Sequence, residues 1–225
     1  MLRIFAFLLA TLIATQVGAQ VAPSTSEISR YKGLHKAAHD NDLATVKGLI
    51  AEGANLNLRD SYGRTPVHVA AFASNDDIVR ALAKAGAEMN VLENGLYDVV
   101  TIAAVANDPE MVSLAIELGN DPGLTTSVYD GTALIAAAHL GHHQVVKRLI
   151  DAGAPLDHVN NLHWTALIEA VVLGNGGPNH IATVRALVNA SADLSIGDRD
   201  GATALQHAVS RGYKEIAKII RDAER

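Results

Sequence analysis

The chain has 225 residues, 49% of them hydrophobic, with no cysteine and a formal net charge of −6. Without thiols it has neither disulfides nor thiolate metal ligands, so packing must supply its stability and cysteine chemistry is excluded. Its lysines and arginines are scattered rather than grouped, which argues against a nucleic-acid surface, because phosphate binding draws on clustered cations.

The first nineteen residues, MLRIFAFLLATLIATQVGA, carry one cation at Arg3, an apolar run from Ile4 to Ala14, and small residues at Val17 and Ala19 ahead of Gln20. This is the pattern of a secretory leader cut after Ala19. The run is too short to be read first as a bilayer span, and no later segment is apolar enough for one. The leader implies a periplasmic protein, with secretion as the alternative. Residues 20–29 read as a linker, and residues 30–225 as one domain.

From residue 30 the chain repeats itself. GRTPVHVAA at 63–71 returns as KGLHKAA (32–38), LYDVVTIAA (96–104), DGTALIAAA (130–138), HWTALIEAV (163–171) and GATALQHAV (201–209). The position of Thr65 is held by Lys32, Asp98, Thr132, Thr165 and Thr203, at spacings of 33, 33, 34, 33 and 38 residues. A second column, Asn41, Ser74, Asn107, Gly141, Gly174 and Gly212, marks the end of a first helix, since Gly and Asn tolerate the left-handed conformation that closes one. After it comes an apolar cluster at helical spacing, as in Ile78, Val79 and Leu82, or Val145, Val146, Leu149 and Ile150. A third column, Gly53, Gly86, Gly119, Gly153 and Ser191, ends that second helix. The units fall at 30–62, 63–95, 96–129, 130–162, 163–200 and 201–225, each a short helix, a turn, a second helix and an extended loop.

TPVHVAA, with its relatives TALIAAA and TALIEAV, resembles the ankyrin repeat, whose signature is T-P-L-H-x-A followed by helix, turn and helix. The resemblance covers about residues 30–225 in six units and implies an all-α solenoid with β-hairpin-like loops. Neighbours must stack to bury a common core, and the end units need polar outer faces. YKEIAKIIRDAER at 213–225 suits such a cap. The third unit departs from the pattern, with Asp98 and Val99 in place of Thr-Pro and GNDPGL where the family has Gly-Ala-Asp, so an irregular hairpin is expected there.

Histidines are the chemically suggestive residues. His139, His142 and His143 lie within five positions, and a metal or catalytic site there is the alternative reading of the chain. Gly141 interrupts the helix on which His139 and His143 would share a face. His35, His68 and His142 occupy positions where the family uses histidine structurally. HKAAH at 35–39 lacks the glutamate of a zinc hydrolase motif, and DRDG at 198–201 lacks the remaining ligands of a calcium loop. No cofactor is expected.

The resemblance implies a non-enzymatic module that holds a partner protein on its concave face, as a scaffold or an inhibitor. By register the loop tips contribute Tyr62 and Arg64, Leu96 and Tyr97, Tyr129, Leu162 and Trp164, and Asp200. The first helices contribute His39, Phe72, Val105, His139 with Leu140, Val172 with Leu173, and Ser210 with Arg211. Outside the leader the chain has seven aromatic rings, and five of them, Tyr62, Phe72, Tyr97, Tyr129 and Trp164, fall on this face. Tyr and Trp often dominate interface energy. The five-residue excess in unit 163–200 is expected as a solvent-facing loop after Gly174.

Overall fold

A computed structural model describes residues 20–224; the leader read at 1–19 lies outside the described residues. After a single turn, α1 (Thr25–Ile28), helices come in pairs: α2 (Gly33–His39) and α3 (Leu43–Ala51), α4 (Pro66–Phe72) and α5 (Asp76–Lys84), α6 (Val99–Val105) and α7 (Pro109–Glu117). The series continues with α8 (Ala133–Leu140) and α9 (His143–Asp151), α10 (Ala166–Val172) and α11 (Pro178–Asn189), α12 (Ala204–Ser210) and α13 (Lys214–Ala223).

The threonine column starts the first helix of each pair. Thr132, Thr165 and Thr203 accept from the backbone N–H three residues on, at 3.4, 3.2 and 3.4 Å, and satisfy a donor that a helix start leaves open. Thr65 shares a capping box with His68. In the third unit Asp98 takes over, accepting from Thr101 N at 2.8 Å and from Asn120 Nδ2 at 2.7 Å, so the missing Thr-Pro pair is replaced by a buried carboxylate. Burial pushes that carboxyl above its ordinary range despite those bonds.

The left-handed breaks fall where sequence places them, at Asn41, Ser74, Asn107, Gly141 and Gly212, with one exception. Gly174 is not left-handed, and Gly176 takes that conformation instead, because the longer unit moves its break two residues downstream.

First helices stack on first helices and second on second along the whole array. Paired small residues, Ala37–Ala38, Ala70–Ala71, Ala103–Ala104 and Ala137–Ala138, let the first helices approach closely, and all are buried. The second helices bury Ile78, Val79, Leu82, Met111, Val112, Val145, Val146 and Leu149 completely. One core therefore runs through every unit. Strand pairing among the described residues is limited to isolated antiparallel bridges, Thr126 with Gly131 and Gly197 with Thr203, so the loops are hairpin-like without forming a sheet.

Polar side chains at the start of the second helices fasten one unit to the one before. Asn75 Nδ2 donates to Ala38 O at 2.8 Å, His142 Nδ1 to Ala104 O at 2.9 Å, His180 Nε2 to His139 O at 2.9 Å, and Tyr213 Oη to Gly174 O at 3.0 Å. Three of these carbonyls belong to the last turn of the preceding first helix, where acceptors lack intrahelical donors, and the fourth, Gly174 O, lies just past the end of α10.

Residues 20–29 are built into the fold rather than hanging from it. Ser24 and Glu27 form a capping box around α1, and the Arg64 guanidinium reaches back to Val21 O at 3.1 Å and pairs with the Glu27 carboxylate.

Candidate protein-binding face

Three of the hairpin tips are each shaped by one carboxylate or amide. Asp60 Oδ1 accepts from the N–H of Tyr62 and Arg64 at 2.8 and 2.9 Å, Asn160 Oδ1 from Leu162 and Trp164 at 3.0 Å each, and Asp198 Oδ1 from Asp200 and Ala202 at 3.0 and 2.9 Å. The same two-residue and four-residue reach closes every one of these turns, which is the turn chemistry Asp and Asn favour. DRDG at 198–201 is such a turn. Successive tips are tied by backbone bonds, Asn94 N to Tyr62 O at 2.9 Å, Ser127 N to Leu96 O at 2.8 Å, and Asn161 N to Tyr129 O at 3.0 Å. The tips thus form one connected edge.

That edge does not expose every expected residue. Tyr62 at 44%, Leu96 at 41% and Leu162 at 38% exposure project to solvent. Phe72, Tyr129 and Trp164 are half-buried, showing part of each ring. Two expectations are corrected. Tyr97 is 8% exposed and belongs to the core cluster, and Arg64 has no exposed surface.

Arg64 is withdrawn because its charge is used internally. Its Nε donates to Asp60 Oδ2 at 2.8 Å, its other nitrogens reach Glu27 and Val21 O, and the guanidinium carbon lies 4.6 Å from the Tyr62 ring centroid. Tyr31 Oη adds a bond to Asp60 Oδ2 at 2.8 Å. Burial pushes Asp60 and Glu27 upward, but the surrounding N–H and hydroxyl donors, with Arg64, hold both below the ordinary carboxylate range. Tyr62 therefore stands on a rigid base, stacked on a cation that cannot swing away.

Two of the three clustered histidines, His139 and His142, point to different places. His139 Nδ1 lies 3.4 Å from Glu169 Oε2 in the following unit, whereas His142 is bonded to the preceding unit at Ala104. Among the described residues no three His, Asp or Glu side chains are grouped to hold a metal ion. His35 and His68 have the structural bonds the resemblance implies: His35 Nε2 to Arg64 O at 2.9 Å, and His68 Nε2 to Val91 O at 3.0 Å while its Nδ1 accepts from Thr65 N at 3.1 Å. Burial drives His68 down to about 4, and a neutral ring is what this pair of bonds requires.

Sequence reasoning missed several residues here. Glu169, 5% exposed, is held by Asn160 Nδ2 at 2.8 Å beneath His139. His180, from the extra five residues, fills the space over Gly141 and Gly174: a Cβ at either glycine would come within 2.9 and 2.5 Å of its ring. The excess segment is thus anchored rather than loose. The tip column Asp60, Glu93, Ser127, Asn160 and Asp198 follows the period of the threonine column and could have been found from the sequence.

Stacked helix pairs and a connected row of tips beside the first helices define a repeat solenoid with a continuous open face. Ankyrin-repeat family models match residues 8–93 and 100–177 (three-copy model) and 177–220 (many-copy model), and the chain belongs to the ankyrin repeat family, whose repeats are protein-interaction modules. Over 185 residues it is 30% identical to the ankyrin repeat protein YahD of Escherichia coli (strain K12), spanning 82% of this chain and 92% of that one. Among solved structures, an ankyrin repeat domain from Acinetobacter baumannii AYE superposes with a TM-score of 0.80 at 39% identity, covering 85% of this chain and 97% of that one. A chain from the complex of a predatory endopeptidase with an immunity protein, from Bdellovibrio bacteriovorus, superposes with a TM-score of 0.71 at 26% identity, covering 85% and 98%. No helix among the described residues is long and apolar enough to cross a membrane.

Proposed function

We propose that the protein is an exported, non-enzymatic binder that holds another protein of the cell envelope against its tips and first helices, as a scaffold or as an inhibitor of the immunity type. The observation that carries this reading is the row of exposed apolar side chains on the connected tips, Tyr62, Leu96 and Leu162, beside exposed Leu140 and Leu173 at the ends of the first helices. Contiguous exposed apolar surface of this kind usually marks an interaction site. The likeness to a chain of an endopeptidase–immunity protein complex supports the inhibitor form, and the leader pattern at 1–19 supports export.

The test is affinity capture from a periplasmic extract, comparing the natural chain with a folded Tyr62→Ser, Leu96→Ser, Leu162→Ser variant. A protein retained by the first and lost by the second is the expected result. Equal capture by both removes the tips from the reading, and residue protein found in the cytoplasm after fractionation removes the envelope.

A further inference from the structure

The last turn of each first helix ends in a position eight residues beyond the threonine column, and the residues there change character along the array. In the four middle units the position itself is apolar, and its predecessor is Phe72, Val105, His139 or Val172. Ala73, Ala106, Leu140 and Leu173 are exposed, with Phe72 and Val105 half-buried beside them. In the terminal units the same position holds charge, exposed Asp40 at one end and exposed Arg211 at the other. The structure therefore carries a largely apolar lane across four helices, interrupted by half-buried His139 against Glu169 and stopped at both ends by charges of opposite sign.

The border of this lane is as uneven as its ends. Beside Phe72, Ala73 and Val105 the turns into α5 and α7 carry Asp76, Asp77, Asp108 and Glu110, while Arg211 and Lys214 lie at the far end. Between Lys84 and Lys147 the chain has no lysine or arginine and eight carboxylates. Burial, then the neighbouring Asp108 and Asp77, push Asp76 above its ordinary range, with Arg80 acting against them. Asp76 thus sits among like charges, with Arg80 as the counter-charge beside it. A cation from outside would relieve that repulsion.

Resting on the partner-face reading above, we propose that the lane takes an apolar polypeptide segment of its partner with lysines or arginines at one end, oriented so that the cationic end lies over the turns into α5 and α7. With neighbouring helices about 8–10 Å apart, four of them span about 24–30 Å. That length matches about 16–20 residues of helix or about eight of extended chain. The apolar floor supplies area removed from water, and the acidic border selects polarity and direction.

The probes are fluorescein-labelled synthetic peptides of about 20 residues, sharing one Ala/Leu/Gln core and ending in a short run of Lys, Gln or Glu. Fluorescence anisotropy at low salt should show the Lys peptide binding at least about tenfold tighter than the Glu peptide, with the gap shrinking as salt is raised. An Asp76→Asn, Asp108→Asn, Glu110→Gln variant should narrow the gap to about threefold or less, and Leu140→Glu should weaken all three peptides, both variants being shown folded by circular dichroism. A spin label at the Lys end should broaden amide resonances near Ala73 and Ala106. Equal affinity for Lys and Glu peptides overturns the cationic assignment while leaving the face as a binding site. Binding that ignores both variants, or broadening centred on Arg211, overturns the lane and its direction. No binding by any peptide overturns the proposed segment, and the capture experiment above then judges the face separately.

Discussion

The two ends of the solenoid are closed by different physics. At the N-terminal end a fully buried guanidinium, Arg64, gathers Glu27, Asp60 and the Val21 carbonyl, and Tyr31 closes over Asp60. At the C-terminal end α13 simply turns its charged face outward, burying Ile216, Ala217 and Ile220 and leaving Lys218, Asp222 and the Arg185–Glu215 pair in solvent. Buried charge is held by geometry and fails badly when one member is lost, whereas exposed pairs are screened and contribute little. A residue that looks the same in sequence, a lone Arg or Lys among repeats, thus has opposite weight at the two ends.

The largest expected effect comes from breaking the N-terminal cluster. Arg64→Met leaves two carboxylates facing each other in a poorly solvated site and should cost about 3–5 kcal/mol in equilibrium urea denaturation. Because a solenoid unfolds by neighbouring units, the loss should appear as early release of residues 20–60 in hydrogen exchange, ahead of the rest. Retention of full stability would mean that the cluster is replaceable by packing alone.

Acid should act on the same end. His68 is pushed down to about 4 by burial, from an ordinary 6.5. Between those values the unfolded chain takes up a proton that the folded chain refuses, so the stability present above pH 6.5 is lost as pH falls toward 4. The integrated loss is about 3 kcal/mol at most. Melting temperature measured across this window should fall in the natural chain and stay flatter in His68→Gln. Parallel slopes would assign the acid sensitivity elsewhere.

A smaller effect is expected at the fastening between the fourth and fifth units. His180→Ala leaves the His139 carbonyl without its donor and should cost about 1–2 kcal/mol. Gly141→Ala should cost a similar amount, since it needs a left-handed alanine and puts a Cβ 2.9 Å from the His180 ring. Combined, the two should cost less than their sum, because removing the ring removes the clash. Strict additivity would show that the ring does not stand where the glycine needs space. Least of all, Lys218→Ala at the C-terminal end should change stability by less than about 0.5 kcal/mol, the contrast that completes the comparison with Arg64.

Much of the fold was legible because its determinants are local. The threonine column caps helices through bonds that reach three residues, and the left-handed column depends on the conformational range of a single residue. Ser74 takes that conformation although its type gave little reason to expect it. Less of the candidate face was legible. Tyr62 and Leu162, three residues before the threonine column, project as expected, but Tyr97 and Arg64, one residue before it, are covered, and Arg64 is consumed by a segment that composition presents as a linker. The excess residues after Gly174 read as a solvent-facing loop, yet His180 returns to cover the two glycines.

The amino-acid sequence by itself determined the period, the helix pairs, the breaks between them and the side of each unit that meets its neighbours, since each follows from contacts within a few residues or from the spacing of apolar positions. Only the tertiary structure decided which charged and aromatic side chains face solvent, because that depends on what the next unit, some 33 residues away, places against them. Arg64 shows the reason most plainly: its own turn supplies one partner for the guanidinium, Asp60, and the others, Glu27 and the Val21 carbonyl, lie 37 and 43 residues back in the segment before the first unit and come within reach only when that segment folds against the second.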